Sequence, residues 1–377
     1  MNAIDNALRP MTLIVDPKGK YADENRLFQG IPTVERTPNG RLWAAFYGGG
    51  TGENLENYVL VQFSDDDGLT WNKRLAVDMP GVAVRAYDPC LWLSPSGALW
   101  LFWAQTACVN CAGWNPTFDG RCGVWRAICD APDAGAPVFG APERIANGVM
   151  MNKPTVTRDG VWLLPCAIWQ YVPNFLYDLP GERFSNVYAS YDDGKSFSLI
   201  GHADYPDRLI DEHMLVQRRD GSLWMLIRAK NGIGEAFSHD GGHTWENARD
   251  SGLGGPCSRF FIRRTRSGRL LLVNHYHFSG RNNLTALLSD DDGATWRGGL
   301  LLDGRANVSY PDGAEDDAGN HYIIYDRERT GAREILLARV TEDDILAGAL
   351  VSPGSFAHRV VNKATGTRRF IACSDAT

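Results

Sequence analysis

The chain has 377 residues, of which 44% are hydrophobic, 11% aromatic and 22% charged, with a formal net charge of −7. That balance is acidic, which excludes a broad basic footprint for nucleic acid or anionic lipid. No run approaches the ~18 uninterrupted apolar residues of a transmembrane helix. Forty glycines, 19 prolines and 12 tryptophans favour a protein of many turns and large buried rings, all-β rather than a helical bundle.

The opening segment, MNAIDNALRPMTLIV, has no basic stretch followed by an apolar one, so as given it does not read as a secretory signal. With only eight cysteines, the expectation is a reduced, cytoplasmic setting, or a secreted or periplasmic one if a signal has been trimmed. Further on, an internal repeat dominates. SDDDGLTW starts at Ser64, SYDDGKSF at Ser190, SHDGGHTW at Ser238 and SDDDGATW at Ser289, and a weaker PDAGAPVF starts at Pro132. The starts lie 68, 58, 48 and 51 residues apart, the period of a propeller blade. Asp followed by Gly two residues later closes a tight turn, because Asp bonds nearby backbone and Gly accepts positive φ. The Ser hydroxyl ties the strand to that turn, and the Trp or Phe enters the next strand. These aspartates are therefore read as hairpin staples and not as catalytic groups.

Between the boxes run short apolar strands, each behind a turn signal. They are GRLWAAFY from Gly40, GALWLFWAQ from Gly97, GVWLLPCAIW from Gly160, GSLWMLIRA from Gly221, GRLLLVNHY from Gly268 and NHYIIYD from Asn320. Six blades of about 60 residues would use the chain as a single domain, residues 1–377. The fold class expected is an all-β, six-bladed β-propeller of four-stranded antiparallel blades. Only VTEDDILAG reads as helical, with Thr341 as its N-cap.

Boxes of this form on six blades resemble the Asp-box repeats of the sialidase (neuraminidase) superfamily. The resemblance extends to the segments that carry that family's catalytic groups. DEHMLVQRRDGSLWMLIR resembles the segment with the catalytic glutamate and a carboxylate-binding arginine, which implies Glu212 as base and Arg228 as clamp. GRNNLTALLSDDDGATW resembles the segment with a further clamp arginine, here Arg281, and NVSYPDGAEDDAGNHYIIYDRE the segment with the nucleophile, here Tyr310. A sialic acid carries a carboxylate on its anomeric carbon, which repels an anionic nucleophile. A neutral phenol, deprotonated by a neighbouring carboxylate as it attacks, avoids that repulsion.

Two family elements depart from the pattern. The aromatic-Arg-Ile-Pro segment is Phe28-Gln29-Gly30-Ile31-Pro32, so Gly30 stands where the first of three arginines is expected. Arg85, in VRAYDP, is the substitute considered. The loop expected to hold the acid/base aspartate is YGGGTGENLENYV, which offers Glu53, slightly preferred, and Glu56, with Asp88 as a third carboxyl on the next blade.

His213 and His275 are candidates for a sugar hydroxyl contact or rim packing, and so is His277, on the strand face it shares with His275. Tyr47, Trp169, Tyr171, Phe175 and Tyr177 could stack on a sugar. Cys108 and Cys111, with Cys122 and Cys129 beyond, match a zinc-ribbon spacing loosely, and free thiols are favoured over a metal site or a disulfide.

The expectation is an exo-acting retaining hydrolase of a terminal acidic sugar, with an oligosaccharide or glycoconjugate as its partner and no cofactor. Nucleic acid and membrane are not expected partners, and the oligomeric state is left open. A uronate-directed hydrolase or β-eliminating lyase, and a non-catalytic glycan-binding propeller, are the alternatives.

Overall fold

The computed structural model describes residues 3–107, 119–169, 179–208 and 210–367. Six antiparallel sheets surround one axis as the blades of a propeller, as the repeat predicts. The innermost strands, in blade order, are Gln29–Arg36, Val84–Leu93, Thr155–Val156, Met214–Gln217, Phe261–Arg264 and Val308–Glu315. Each blade then steps outward strand by strand. Blade 1 gains a fifth, outermost strand, Thr12–Val15, paired to Asn72–Asp78. The helix Glu342–Ala347 forms as read, with Thr341 and Asp344 closing a capping box and Gly348 in the left-handed conformation ending it.

Strands alternate their side chains, so blades bury apolar residues on both faces against their neighbours. At the seam of blades 2 and 3, Trp92 and Trp162 meet edge to face with centroids 4.7 Å apart, and Trp100 packs on both. The Asp boxes sit on the hairpins between third and fourth strands. In the first, Ser64 donates to Asp66 (2.7 Å) and accepts from the Gly68 N–H (2.9 Å), while the Thr70 hydroxyl and N–H both donate to Asp66. The residue before the box glycine is left-handed too, as Asp67, Asp193 and Asp292 are, which explains why Asp or Gly stands there. The degenerate box of blade 2 lacks the serine, and its Asp133 instead accepts from Thr37 of blade 1.

Among the described residues the ring closes without strand exchange, since blades 1 and 6 are each built from consecutive chain. Two buried carboxylates on blade 6 join the seam instead. Asp312 accepts from the Thr33 hydroxyl (2.7 Å) and the Val34 N–H (3.0 Å), and Asp326 accepts from the Ile31 N–H (2.7 Å). Asp312 also faces Lys153 (3.3 Å) and Arg259 (3.4 Å), so a buried charge cluster links blades 1, 3, 5 and 6 at the axis.

Three inner strands share a device. Ile31-Pro32, Asp88-Pro89 and Tyr310-Pro311 each stand at a register shift, with φ of 55°, 49° and 57° on the residue before proline. Proline cannot donate to the ladder, so each strand bulges there, and a bulge re-aims a side chain. Left-handed backbone at a β-branched or bulky residue is strained, and it occurs here on the strands that build the axial mouth.

In three boxes, hydrogen bonds hold the aspartate pKa at about 2, the Thr70 hydroxyl being the main cause for Asp66, that of Ser196 for Asp192 and that of Thr295 for Asp291. A depressed carboxyl pKa adds stability that is complete above the unfolded-state value near 4 and is lost as pH falls through 2. Denaturant unfolding at pH 5, 3 and 2 should therefore show an acid-induced fall in midpoint that Asp291→Asn reduces. An unchanged fall would contradict the staple role.

Candidate active site

The first and third strands of each blade start at one end of the propeller and the boxes lie at the other. The mouth is thus built from inner-strand starts and from the loops joining second to third strands. Four residues implied by the resemblance converge there. Tyr310 enters on its bulge and donates its hydroxyl to Glu212 Oε1 at 2.6 Å. Glu212 lies two residues before the inner strand of blade 4 and is buried. Arg228, near the end of the next strand of that blade, donates from Nη1 to the same Glu212 oxygen and to the Tyr310 hydroxyl, both at 2.7 Å. Arg281 comes from the blade 5 loop, its guanidinium 5.4 Å from the Tyr310 ring centroid. The Cys257 carbonyl accepts from both Arg228 (3.1 Å) and Arg281 (3.0 Å) and so fixes the two cations side by side.

The electrostatics keep the Tyr310 phenol neutral. Burial raises the Tyr310 pKa most, and Glu212 raises it further, against the pull of Arg228, Arg329 and Arg281. Burial alone would lower the Arg228 pKa, but Glu212 and then Tyr310 hold it well above the usual range. Glu212 Oε2 is buried and has no hydrogen-bond partner among the described residues, which leaves that oxygen for a ligand or a water.

A residue that the sequence reading did not single out completes the cluster. Arg329, from the last blade's loop, lies 4.2 Å over the Tyr310 ring. It donates to Asp326 at 2.8 Å and pairs with Glu53 at 3.3 Å. Arg85, considered as the missing arginine, is instead buried over the rings of Tyr87 (4.1 Å) and Tyr47 (5.2 Å). Its charge acts on Glu53 and Asp88.

The three carboxyl candidates separate. Glu53 is half-exposed beside Arg329. Burial pushes its pKa up, but Arg85 and Arg329 outweigh this and hold it below the usual value. Asp88 is buried on its bulge, and burial drives its pKa well up despite Arg85, with Glu53 and Glu212 adding to the rise. Glu56 lines a separate cavity with Lys20, Tyr58 and Asp78.

His213 and His275 each bond a backbone carbonyl. His213 is buried, bonds the Asn186 carbonyl at 2.7 Å across the seam to blade 3, and has a pKa lowered to about 4 by that burial. His275 bonds the Asn282 carbonyl at 2.8 Å, bracing the loop that carries Arg281, and burial lowers its pKa. His277, left-handed and in edge contact with Tyr276, is not on the strand with His275. Tyr47 is buried and Trp169 packs edge-on to Tyr87, while Tyr171, Phe175 and Tyr177 lie outside the described residues. Cys122 and Cys129 are buried free thiols, and Cys108 and Cys111 also lie outside the described residues. No group of three metal-ligating side chains occurs among the described residues.

The raised Tyr310 pKa predicts that this phenol stays protonated in alkaline solution, beyond the pH at which an ordinary tyrosine ionises. Phenolate absorbance at pH 11 should be equal in the wild type and Tyr310→Phe. A deficit of one phenolate in the variant would contradict the arrangement.

The BNR repeat-like domain family matches residues 40–323 of the chain. No curated protein sequence matches it. Among solved structures, the Hadza microbial sialidase Hz136 superposes with a TM-score of 0.68 at 19% identity, over 84% of this chain and 66% of that one. The chain thus spans just under two thirds of that protein. A Dyadobacter fermentans protein of unknown function gives 0.63 at 18%, over 86% and 95%. The intramolecular trans-sialidase from Ruminococcus gnavus, solved with oseltamivir carboxylate, gives 0.65 at 14%, over 92% and 99%. At these identities the structural likeness shows the fold. The chain belongs to the BNR repeat-like family, and it carries that repeat on the six-bladed propeller it shares with sialidases.

Proposed function

We propose that the protein is an exo-acting, retaining glycoside hydrolase that releases a terminal acidic sugar of the sialic acid type. The observation that carries this reading is the shared contact of Tyr310, Glu212 and Arg228 at the axial mouth, with hydrogen bonds of 2.6 to 2.7 Å. A phenol bonded to a buried carboxylate and crowded by guanidinium groups suits an anionic electrophile. A buried tyrosine in a core of leucines would need none of them.

In the reaction proposed, the Tyr310 oxygen attacks the anomeric carbon and its proton passes to Glu212. Arg228 neutralises the carboxylate of the sugar, and Arg281 assists it. The glycosidic C–O bond breaks as its oxygen takes a proton from Glu53. Water, deprotonated by the same carboxylate, then displaces Tyr310, which recovers its proton from Glu212, and configuration is retained. Glu53 is anionic at rest because Arg85 and Arg329 hold it so. An incoming carboxylate offsets those cations and lets Glu53 take up the proton it delivers. Asp88 is the second reading for the acid, favoured by its burial and raised pKa.

Tyr310→Phe and Glu212→Gln should each lower kcat on a sialoside by roughly 10²–10⁴-fold with little change in thermal midpoint, and proton NMR of the wild-type reaction should show the retained anomer first. Turnover of Tyr310→Phe close to wild type would refute the mechanism. An unsaturated product absorbing in the ultraviolet would indicate a uronate lyase, and saturable binding without turnover a lectin-like propeller.

The acid is identified by leaving-group dependence. Glu53→Gln should lose most of its kcat/KM on natural linkages and little of it on nitrophenyl glycosides, whose leaving groups need no proton, while kcat on both falls because deglycosylation needs the same carboxylate. If Asp88→Asn shows that pattern and Glu53→Gln does not, the acid is Asp88.

A further inference from the structure

We propose that Arg329 is the third carboxylate-binding guanidinium of the site, delivered by the last blade into the space that Gly30 leaves by having no side chain. The inference rests on the acidic-sugar reading above. A Cβ built on Gly30 would lie 2.8 Å from both Cγ and Cδ of Arg329 and 2.9 Å from its Nε. Any side chain at position 30 and the arginine at 329 therefore compete for one volume. Gly30 is not left-handed, so backbone conformation does not demand glycine there. The demand comes from Arg329.

Two contacts fix the exchange across the seam. The Gln29 N–H donates to the Arg329 carbonyl at 3.2 Å, and Asp326 holds both the Ile31 N–H and Arg329 Nε. Neutralising Asp326 does not account for the rest of the guanidinium. Asp326 already accepts from the Ile31 N–H and from the Ser309 hydroxyl at 2.7 Å, and it engages only Nε. The two terminal nitrogens of Arg329 make long contacts, 3.3 Å to Glu53 and 3.4 Å to Ser309. Arg329 lines a cavity of about 380 Å³ together with Arg281 and Ser309. A carboxylate entering there meets donors that the protein has left weakly engaged. Arg228, Arg281 and Arg329 then surround Tyr310, with Arg329 replacing an arginine absent from position 30.

The test compares binding of N-acetylneuraminic acid and glucuronic acid with that of their methyl esters, followed by NMR or calorimetry. Wild-type protein should prefer one of the acids over its ester. Arg329→Gln, which keeps a donor for Asp326, should reduce that preference by roughly 10–100-fold, as should Arg281→Gln. Gly30→Ala should reduce it by displacing an intact Arg329, and the double variant Gly30→Arg/Arg329→Gly should regain at least about tenfold over Arg329→Gly alone. A merely structural Arg329 would weaken acid and ester alike. Unchanged discrimination in Arg329→Gln and Gly30→Ala, with loss in Arg228→Gln, would overturn the inference and leave the proposed function standing. A wild type that prefers neither acid would overturn both.

Discussion

The hydroxyl of Tyr310 and the carboxylate of Glu212 lie 98 residues apart in the chain and share a 2.6 Å hydrogen bond across the axis. Everything else at the mouth is arranged around that contact. It holds because each partner is constrained independently, Tyr310 by a left-handed bulge residue before proline and Glu212 by Arg228 on its own blade. A phenol and a carboxylate buried without the cations would repel a negative charge on either group. With Arg228 donating to both, the buried pair has a compensating cation.

The scaffold makes the axis polar, with buried charged side chains from several inner strands meeting there. Asp312, Lys153 and Arg259 form the lower part of this cluster, and Asp326, Arg329 and Glu212 the upper part. Asp326 serves two purposes at once. It closes the ring by accepting the Ile31 N–H, and it holds Arg329 against Tyr310. Ring closure and site assembly are thus one set of contacts, so damage to the seam of blades 1 and 6 should reach the chemistry even when the blades themselves persist.

The repeat made the fold legible, because an Asp box is local: Ser64, Asp66, Gly68 and Thr70 bond one another within one hairpin. Glu212, Arg228, Arg281 and Tyr310 were legible through their segments and order. Arg329 was not. It lies in Asp326-Arg327-Glu328-Arg329, an alternation of charges that reads as a solvated loop. The only hint was the absence of an arginine at position 30, and the sequence pointed equally well to Arg85, which the fold turns onto Tyr87. Glu53 and Glu56 are three residues apart and separable only by the path of their loop. His213 bonds across the seam to blade 3 and His275 bonds within its own blade's loop, contacts that look the same in sequence as a ligand contact. The X-Pro pairs at Ile31, Asp88 and Tyr310 were a usable signal, since proline inside an apolar strand marks a bulge.

The most direct test of the central claim is a trapping experiment. A fluorinated sialosyl fluoride forms a glycosyl-enzyme that turns over slowly, and peptide mass mapping locates the sugar. The account predicts one equivalent of sugar on the Tyr310 oxygen in the wild type and none in Tyr310→Phe. Label on any other residue, or multiple turnover of a sialoside with no trapped species at Tyr310, would contradict it.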